Sequence, residues 1–162
     1  MNAIDILKQQ HKEVLHLIQE IKKTDDSSEK QELFDRCADA LALHFCLEEQ
    51  SFYPAVNNDK TEDMLLEAVE EHLAAKRVLA DLLDCPVDDK SFPAKLEVLE
   101  VTVQHHITEE EQQMFPQLQK SFGPKKLDSL GDDLQEAQDD LLGQGDLKAQ
   151  IPNQTDAAAP LS

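Results

Sequence analysis

Apolar residues return along this chain at alternating intervals of three and four. In the first segment they fall at Ile4, Leu7, Val14, Ile18 and Ile21, and His11 fills the remaining place in the same seam. Such a stripe is the inward face of a bundle helix. The segment ends near Lys23, before TDDSS. A second helix is predicted from about Ser28 to Val56, with seam Phe34, Cys37, Leu41, His44 and Glu48 and with Ser27 or Ser28 as its cap. The third starts after Thr61, with Glu62 and Asp63 in its first turn; its seam is Leu65, Ala68, His72, Ala75, Leu79 and Leu82, and Cys85-Pro86 ends it. The fourth spans about Phe92 to Phe122, with seam Leu96, Leu99, Val103, His106 and Glu110, and stops at Gly123-Pro124. A weaker periodicity predicts a fifth helix from about Lys125 to Leu142.

The connections are short, so sequential helices should pack antiparallel. The expected fold is all-α: an up-down-up-down four-helix bundle over residues 1–122, an additional short helix over 123–142, and a polar tail over 143–162. The tail lacks the periodicity needed to pack and reads as disordered.

The chain contains the same pattern twice. HFCLEEQSFYP begins at His44 and HITEEEQQMFP at His106, an offset of 62; an offset of 61 carries His11 onto His72 and the apolar seam of the first helix onto that of the third. A helix pair has been written twice. The repeat singles out His106 and Glu110 as the counterparts of His44 and Glu48, and puts His105 off the seam. His and Glu four residues apart stack on one helix face. Each repeat therefore sends three polar groups inward: His11, His44 and Glu48, then His72, His106 and Glu110.

Buried polar groups without partners cost about 1–3 kcal/mol each. Six would strain a domain whose total stability is about 5–15 kcal/mol. Metal ions resolve the conflict, since imidazoles donate lone pairs and carboxylates bring negative charge. Two metals with two histidines each and both glutamates shared would suit iron, with manganese or zinc as alternatives. The competing reading is a buried His–Glu hydrogen-bond network. His16 lies opposite the seam and reads as a surface residue; Cys46 should face away from the site, and Tyr53 reads as a packing residue.

Composition narrows the partners. A formal net charge of −19 disfavours nucleic acid and anionic membranes, which need clustered Lys and Arg. No apolar run is long enough for a membrane span. Three cysteines without a CxxC pair fit free thiols in the cytoplasm.

His11, the motif from His44 to Glu48, His72, and the motif from His106 to Glu110 with its trailing Phe115-Pro116 together resemble the hemerythrin family, in its HHE cation-binding domain form, over residues 1 to about 122. The resemblance implies an antiparallel bundle around a non-haem di-iron centre, probed by a small oxidant such as dioxygen, hydrogen peroxide or nitric oxide. It implies His11, His44, His72 and His106 as terminal ligands and Glu48 and Glu110 as bridges. Oxygen-carrying members place a fifth histidine one turn after the third-helix ligand, where this chain has Lys76. They also space the last histidine and carboxylate by five, which leaves Glu111 as a fallback bridge. An ammonium has no lone pair to donate, so Lys76 is expected to turn to solvent and to leave a coordination position for water or substrate. Three functions follow: a di-iron protein that binds or reacts with an oxidant, an iron or redox sensor acting through a partner, and a zinc-stabilised bundle without redox chemistry.

Overall fold

The computed structural model describes residues 1–162, and it is all-helical. Helix α1 covers Ala3–Lys23, capped by the Asn2 side chain, which accepts from the Asp5 backbone N–H at 3.0 Å. Helix α2 covers Ser27–Leu47, and its cap is Asp26 rather than either serine: the carboxylate accepts from the Glu29 N–H at 2.9 Å. Then come α3 (Tyr53–Val56), α4 (Glu62–Leu83), α5 (Phe92–Glu109), α6 (Phe115–Ser121) and α7 (Pro124–Leu142). No helix is long and apolar enough to cross a membrane.

The long helices expected over 28–56 and 92–122 are each interrupted by one wide π turn, Glu48–Phe52 and Glu110–Met114. The Tyr53 N–H bonds back five residues to the Glu48 carbonyl, and the Phe115 N–H to that of Glu110. The cause follows at once in the sequence. Pro54 and Pro116 have no N–H, and their rings would press on the carbonyls of Gln50 and Gln112 in an ordinary turn. A turn widened by one residue relieves that pressure. It also changes which side chain follows each glutamate inward. At about 100° per residue, Tyr53 would stand far around the helix from Glu48; closing the turn at five residues brings it back over the same face.

The core is two apolar clusters of nearly equal size, 20 and 19 buried residues. One joins the end of α1 (Ile18, Ile21), the start of α2 (Phe34, Cys37), the end of α4 (Leu79, Leu82) and the start of α5 (Phe92, Leu96). The other joins the start of α1 (Ile4, Leu7), the end of α2 (Leu47) with Tyr53 and Val56, the start of α4 (Leu65, Ala68), and Met114 to Leu118 beyond α5. Helices α1, α2 and α4 each pass from one cluster to the other, α5 does so through its continuation to Leu118, and His11, His44, His72 and His106 lie at the crossing level. Helix α7 closes the second cluster with Leu127, Leu130 and Leu134. Gly131 permits this: a Cβ there would come within 2.3 Å of the Met1 carbonyl oxygen, so α7 meets the start of α1 backbone to backbone.

The tail reading is overturned. Residues Lys148–Gln154 form a 3₁₀ helix laid against the bundle, and Ile151 is 1% exposed within the first cluster. Leu147 packs on both clusters, and Ala158 and Leu161 reach the second. Arg77 Nε donates to the Thr155 carbonyl at 3.0 Å. The segment is too short to show a helical period, yet its few apolar side chains each find a slot. Ile151→Ala should therefore lower stability by about 2 kcal/mol, a fall in melting temperature of about 4–8 °C. An unchanged melting curve would mean that the docked segment adds nothing.

Candidate metal centre

The level between the clusters is polar and closed. His11, His44, His72 and His106 are each at most 3% exposed, and Glu48 and Glu110 are fully buried. The histidines pair as the sequence repeat pairs them, but Glu110 sits with the pair of the other repeat. Ligand-type atoms of His11, His44, Glu48 and Glu110 lie within 4.8 Å of one another, and so do those of Glu48, His72 and His106. Glu48 belongs to both groups.

Every histidine is held by the same device. Its Nε2 faces the centre and its Nδ1 faces outward to a polar side chain. His11 Nδ1 meets Glu111 Oε1 at 2.8 Å, and His72 Nδ1 meets Glu49 Oε2 at 2.7 Å. His44 Nδ1 meets Gln10 Oε1 at 2.7 Å, and His106 Nδ1 meets Glu71 Oε1 at 3.1 Å. Acceptors outside fix the proton on Nδ1, which leaves the Nε2 lone pair directed inward. The two offsets also carry Glu49 onto Glu111 and Gln10 onto Glu71. The duplication therefore includes the partners that orient the histidines.

Inside, His106 Nε2 lies 3.0 Å and His11 Nε2 3.1 Å from Glu110 Oε1. His72 Nε2 and His106 Nε2 stand 3.1 Å apart, and both lie about as far again from Glu48 Oε1, at 3.4 and 3.5 Å. His44 Nε2 is 2.5 Å from that same oxygen, but not along a direction a ring N–H could follow. His44 Nε2 and Glu48 Oε2 are both buried without a hydrogen-bond partner. Two inward lone-pair donors without partners, among carboxylates, are what a cation would satisfy.

Electrostatics agrees with that reading. Burial alone would raise the Glu48 carboxyl; the adjacent His44 and hydrogen bonds from the surrounding groups prevail and hold it well below the usual carboxylate range. Burial pushes the His44 imidazole below its ordinary value. Burial also opposes charge on His106, but Glu110, Glu48 and Glu71 outweigh it.

Three sequence expectations change. Tyr53 is not merely packing: its hydroxyl donates to Glu110 Oε2 at 2.8 Å and lies 3.3 Å from His72 Nε2. Burial and the two glutamates push the phenol well above its ordinary value, so it remains a donor. Its counterpart Phe115 stacks on His11, with ring centres 6.0 Å apart and planes 5° from parallel. Lys76 does not turn to solvent. It is 4% exposed, and its ammonium binds Glu49 Oε1 at 2.8 Å. Glu49 lies between it and His72, so the cation is neutralised by the carboxylate that orients the ring. Glu111 stands outside the cluster on His11 Nδ1, one third exposed, while Glu110 holds the inner place. His105 and His16 are exposed, and His105 Nε2 reaches Glu71 Oε2 at 3.0 Å from the surface. Cys46 is 8% exposed and lies near Glu49 and Lys76; all three cysteines are free.

Residues 2–118 match the hemerythrin HHE cation binding domain family. A solved structure, the crystal structure of a hemerythrin HHE cation binding domain-containing protein of Mycobacterium kansasii, superposes with a TM-score of 0.80 at 25% identity, covering 89% of each chain. A protein of Nostoc sp. (strain PCC 7120 / SAG 25.82 / UTEX 2576) described as a DNA nickase is 25% identical over 126 residues, which are 78% of this chain and 36% of that protein.

Proposed function

Because this chain belongs to the hemerythrin HHE cation binding domain family, we propose that it holds a pair of iron ions in an up-down-up-down four-helix bundle, and that the pair binds or reacts with a small oxidant: dioxygen, hydrogen peroxide or nitric oxide. One observation carries the reading. Four histidines are oriented by four outer acceptors so that four Nε2 atoms converge on two buried carboxylates, in two groups that share Glu48.

His11 and His44 would serve one ion and His72 and His106 the other, with Glu48 and Glu110 between them. Mixed imidazole and carboxylate ligation favours iron over softer metals. When bound, such a pair would supply electrons and Lewis acidity to the oxidant. The chain does the rest. Glu49, Glu111, Gln10 and Glu71 hold the imidazoles in one tautomer. Tyr53 holds a proton against Glu110 Oε2. The apolar clusters above and below keep bulk water from the level between them.

A sensor that acts through a partner is the second reading, favoured by the docking of the C-terminal segment beside Glu49 and Lys76. Turnover of peroxide separates the two. The nickase's activity is not carried over: the matched part is a third of that protein, and a net charge of −19 suits phosphate backbones poorly. The free cysteines support a cytoplasmic location.

The test is metal content and absorption on one sample. Protein from iron-replete cells should carry about two iron atoms per chain, with near-ultraviolet and visible bands of a bridged ferric pair. Stoichiometric zinc and no iron-dependent colour would sink the proposal and leave the zinc-stabilised bundle.

A further inference from the structure

The C-terminal segment does not lie flush on the bundle. Beneath it is a half-open cavity of about 470 Å³, walled on the inner side by Cys46, Glu49 and Lys76 and on the outer side by Gln154, Ala158 and Ala159. This is ample room for molecules of a few atoms. Only one side chain separates it from the histidine level, because Glu49 lines the cavity with one face and holds His72 Nδ1 at 2.7 Å.

We propose that this cavity is an entrance chamber through which small solutes reach the His72 side of the centre, with the C-terminal segment as its outer wall. The inference rests on the metal reading above for its destination, but not for the chamber itself. Two features define what enters. Lys76 is 4% exposed and carries three N–H donors, of which the protein satisfies one, through Glu49 Oε1 at 2.8 Å. A buried ammonium with unused donors favours a guest that offers acceptor oxygens or nitrogens, neutral or singly anionic. The second feature is the wall's attachment. It rests on Ile151 in the core and on the Arg77 contact to the Thr155 carbonyl, so its fit can be loosened without touching the centre.

Two other cavities approach the histidine level. The cleft beside Glu71, Glu109 and Glu110 holds only about 30 Å³ and is lined by carboxylates, which repel anions. A cavity of about 360 Å³ reaches Gln10 on the His44 side, but no lysine or arginine lines it. Sequence alone hides the chamber, since the helix-pair repeat has no counterpart to the C-terminal segment, and Lys76 corresponds to Leu15.

Cys46 provides a reporter inside the chamber, and the partly exposed Cys85 a reference outside it. The experiment uses full-length protein as purified. It measures alkylation of each cysteine by iodoacetamide with peptide mapping, and the rate of the absorbance change on adding azide. Ala159→Trp, which fills the chamber, should slow both the Cys46 reaction and the azide change by about tenfold. Arg77→Ala and Ile151→Asp, which loosen the wall, should speed both, with Cys85 unaffected throughout. Should Ile151→Asp fail to fold, the arginine and tryptophan variants still decide the matter in opposite directions. Equal Cys46 rates in all proteins would overturn the chamber. A Cys46 rate that moves while the azide rate stays fixed would overturn the route. An azide spectrum that changes in none of the proteins sinks the iron reading instead, and the chamber is then judged on Cys46 alone.

Discussion

Glu48→Ala protein should purify without stoichiometric iron and melt at least about 10 °C below the parent. Glu48 is fully buried and is the one residue common to both ligand groups. Its Oε1 atom lies within 3.5 Å of Nε2 atoms on His44, His72 and His106. Deleting it removes a negative charge from among three imidazoles, of which His106 keeps Glu110 on its Nε2 at 3.0 Å. Breaking a buried pair in this way costs about 3–5 kcal/mol. The loss of bound metal adds to that, because a ligand that binds only the folded state stabilises it. Glu48→Gln separates the contributions. It keeps the volume and an acceptor oxygen but removes the charge, so iron should still be lost while the melting shift is smaller. Metal analysis and thermal melting on the two variants read the outcome. Iron retained at the parental level in Glu48→Ala would show that Glu48 is not a shared ligand.

His106→Ala should likewise lose iron and stability, while His105→Ala, one residue away, should lose little of either. The contrast comes from the helix register. The His106 ring is 3% exposed, with Nε2 on Glu110 and Nδ1 on Glu71; that of His105 is 61% exposed and touches Glu71 from outside. Removing the buried ring leaves a cavity and takes one partner each from Glu71 and Glu110, a loss of about 3 kcal/mol or more. A surface ion pair of the His105 kind contributes about 0–1 kcal/mol. Iron content after desalting is the decisive measurement. Damage from His105→Ala equal to that from His106→Ala would mean that the register of α5 is wrong.

The inward set was legible because periodicity and duplication reinforce one another. His44 and His106 each stand on an apolar seam, and each repeats the other's surroundings, so a chance HxxxE on a surface was separable from these two. Glu49 and Gln10 were legible in principle by the same means, since they map onto Glu111 and Glu71. They do not stand out because they flank the seam, where a polar residue is ordinary. Tyr53 was hidden for a geometric reason. Its approach to Glu110 depends on the π turn, and the helix period used to place side chains assumes that no such turn exists. Pro54 was the available clue. Lys76 departs from its expected place because its neighbour is the Glu49 carboxylate rather than the metals. The C-terminal segment defeats periodicity altogether, since a seven-residue 3₁₀ helix anchored by Ile151 is too short to show one.

The way the two apolar clusters are shared bears on ancestry. Each cluster draws on both helix pairs, so neither repeat of the sequence contains a cluster of its own. A single helix pair could close its core only against a second copy, with two-fold symmetry. The chain thus has the form of a homodimer whose subunits were joined end to end. Joining them frees the halves to diverge. The differences at Tyr53 against Phe115, Lys76 against Leu15, and the C-terminal segment with no counterpart all gather on the His72 flank. The His11 flank keeps the plainer apolar version, with Phe115 stacked on the ring. A symmetric dimer would have to carry every such change twice, on both flanks at once. Fusion lets one flank acquire a tyrosine, a buried lysine and a covering segment without the other having to follow.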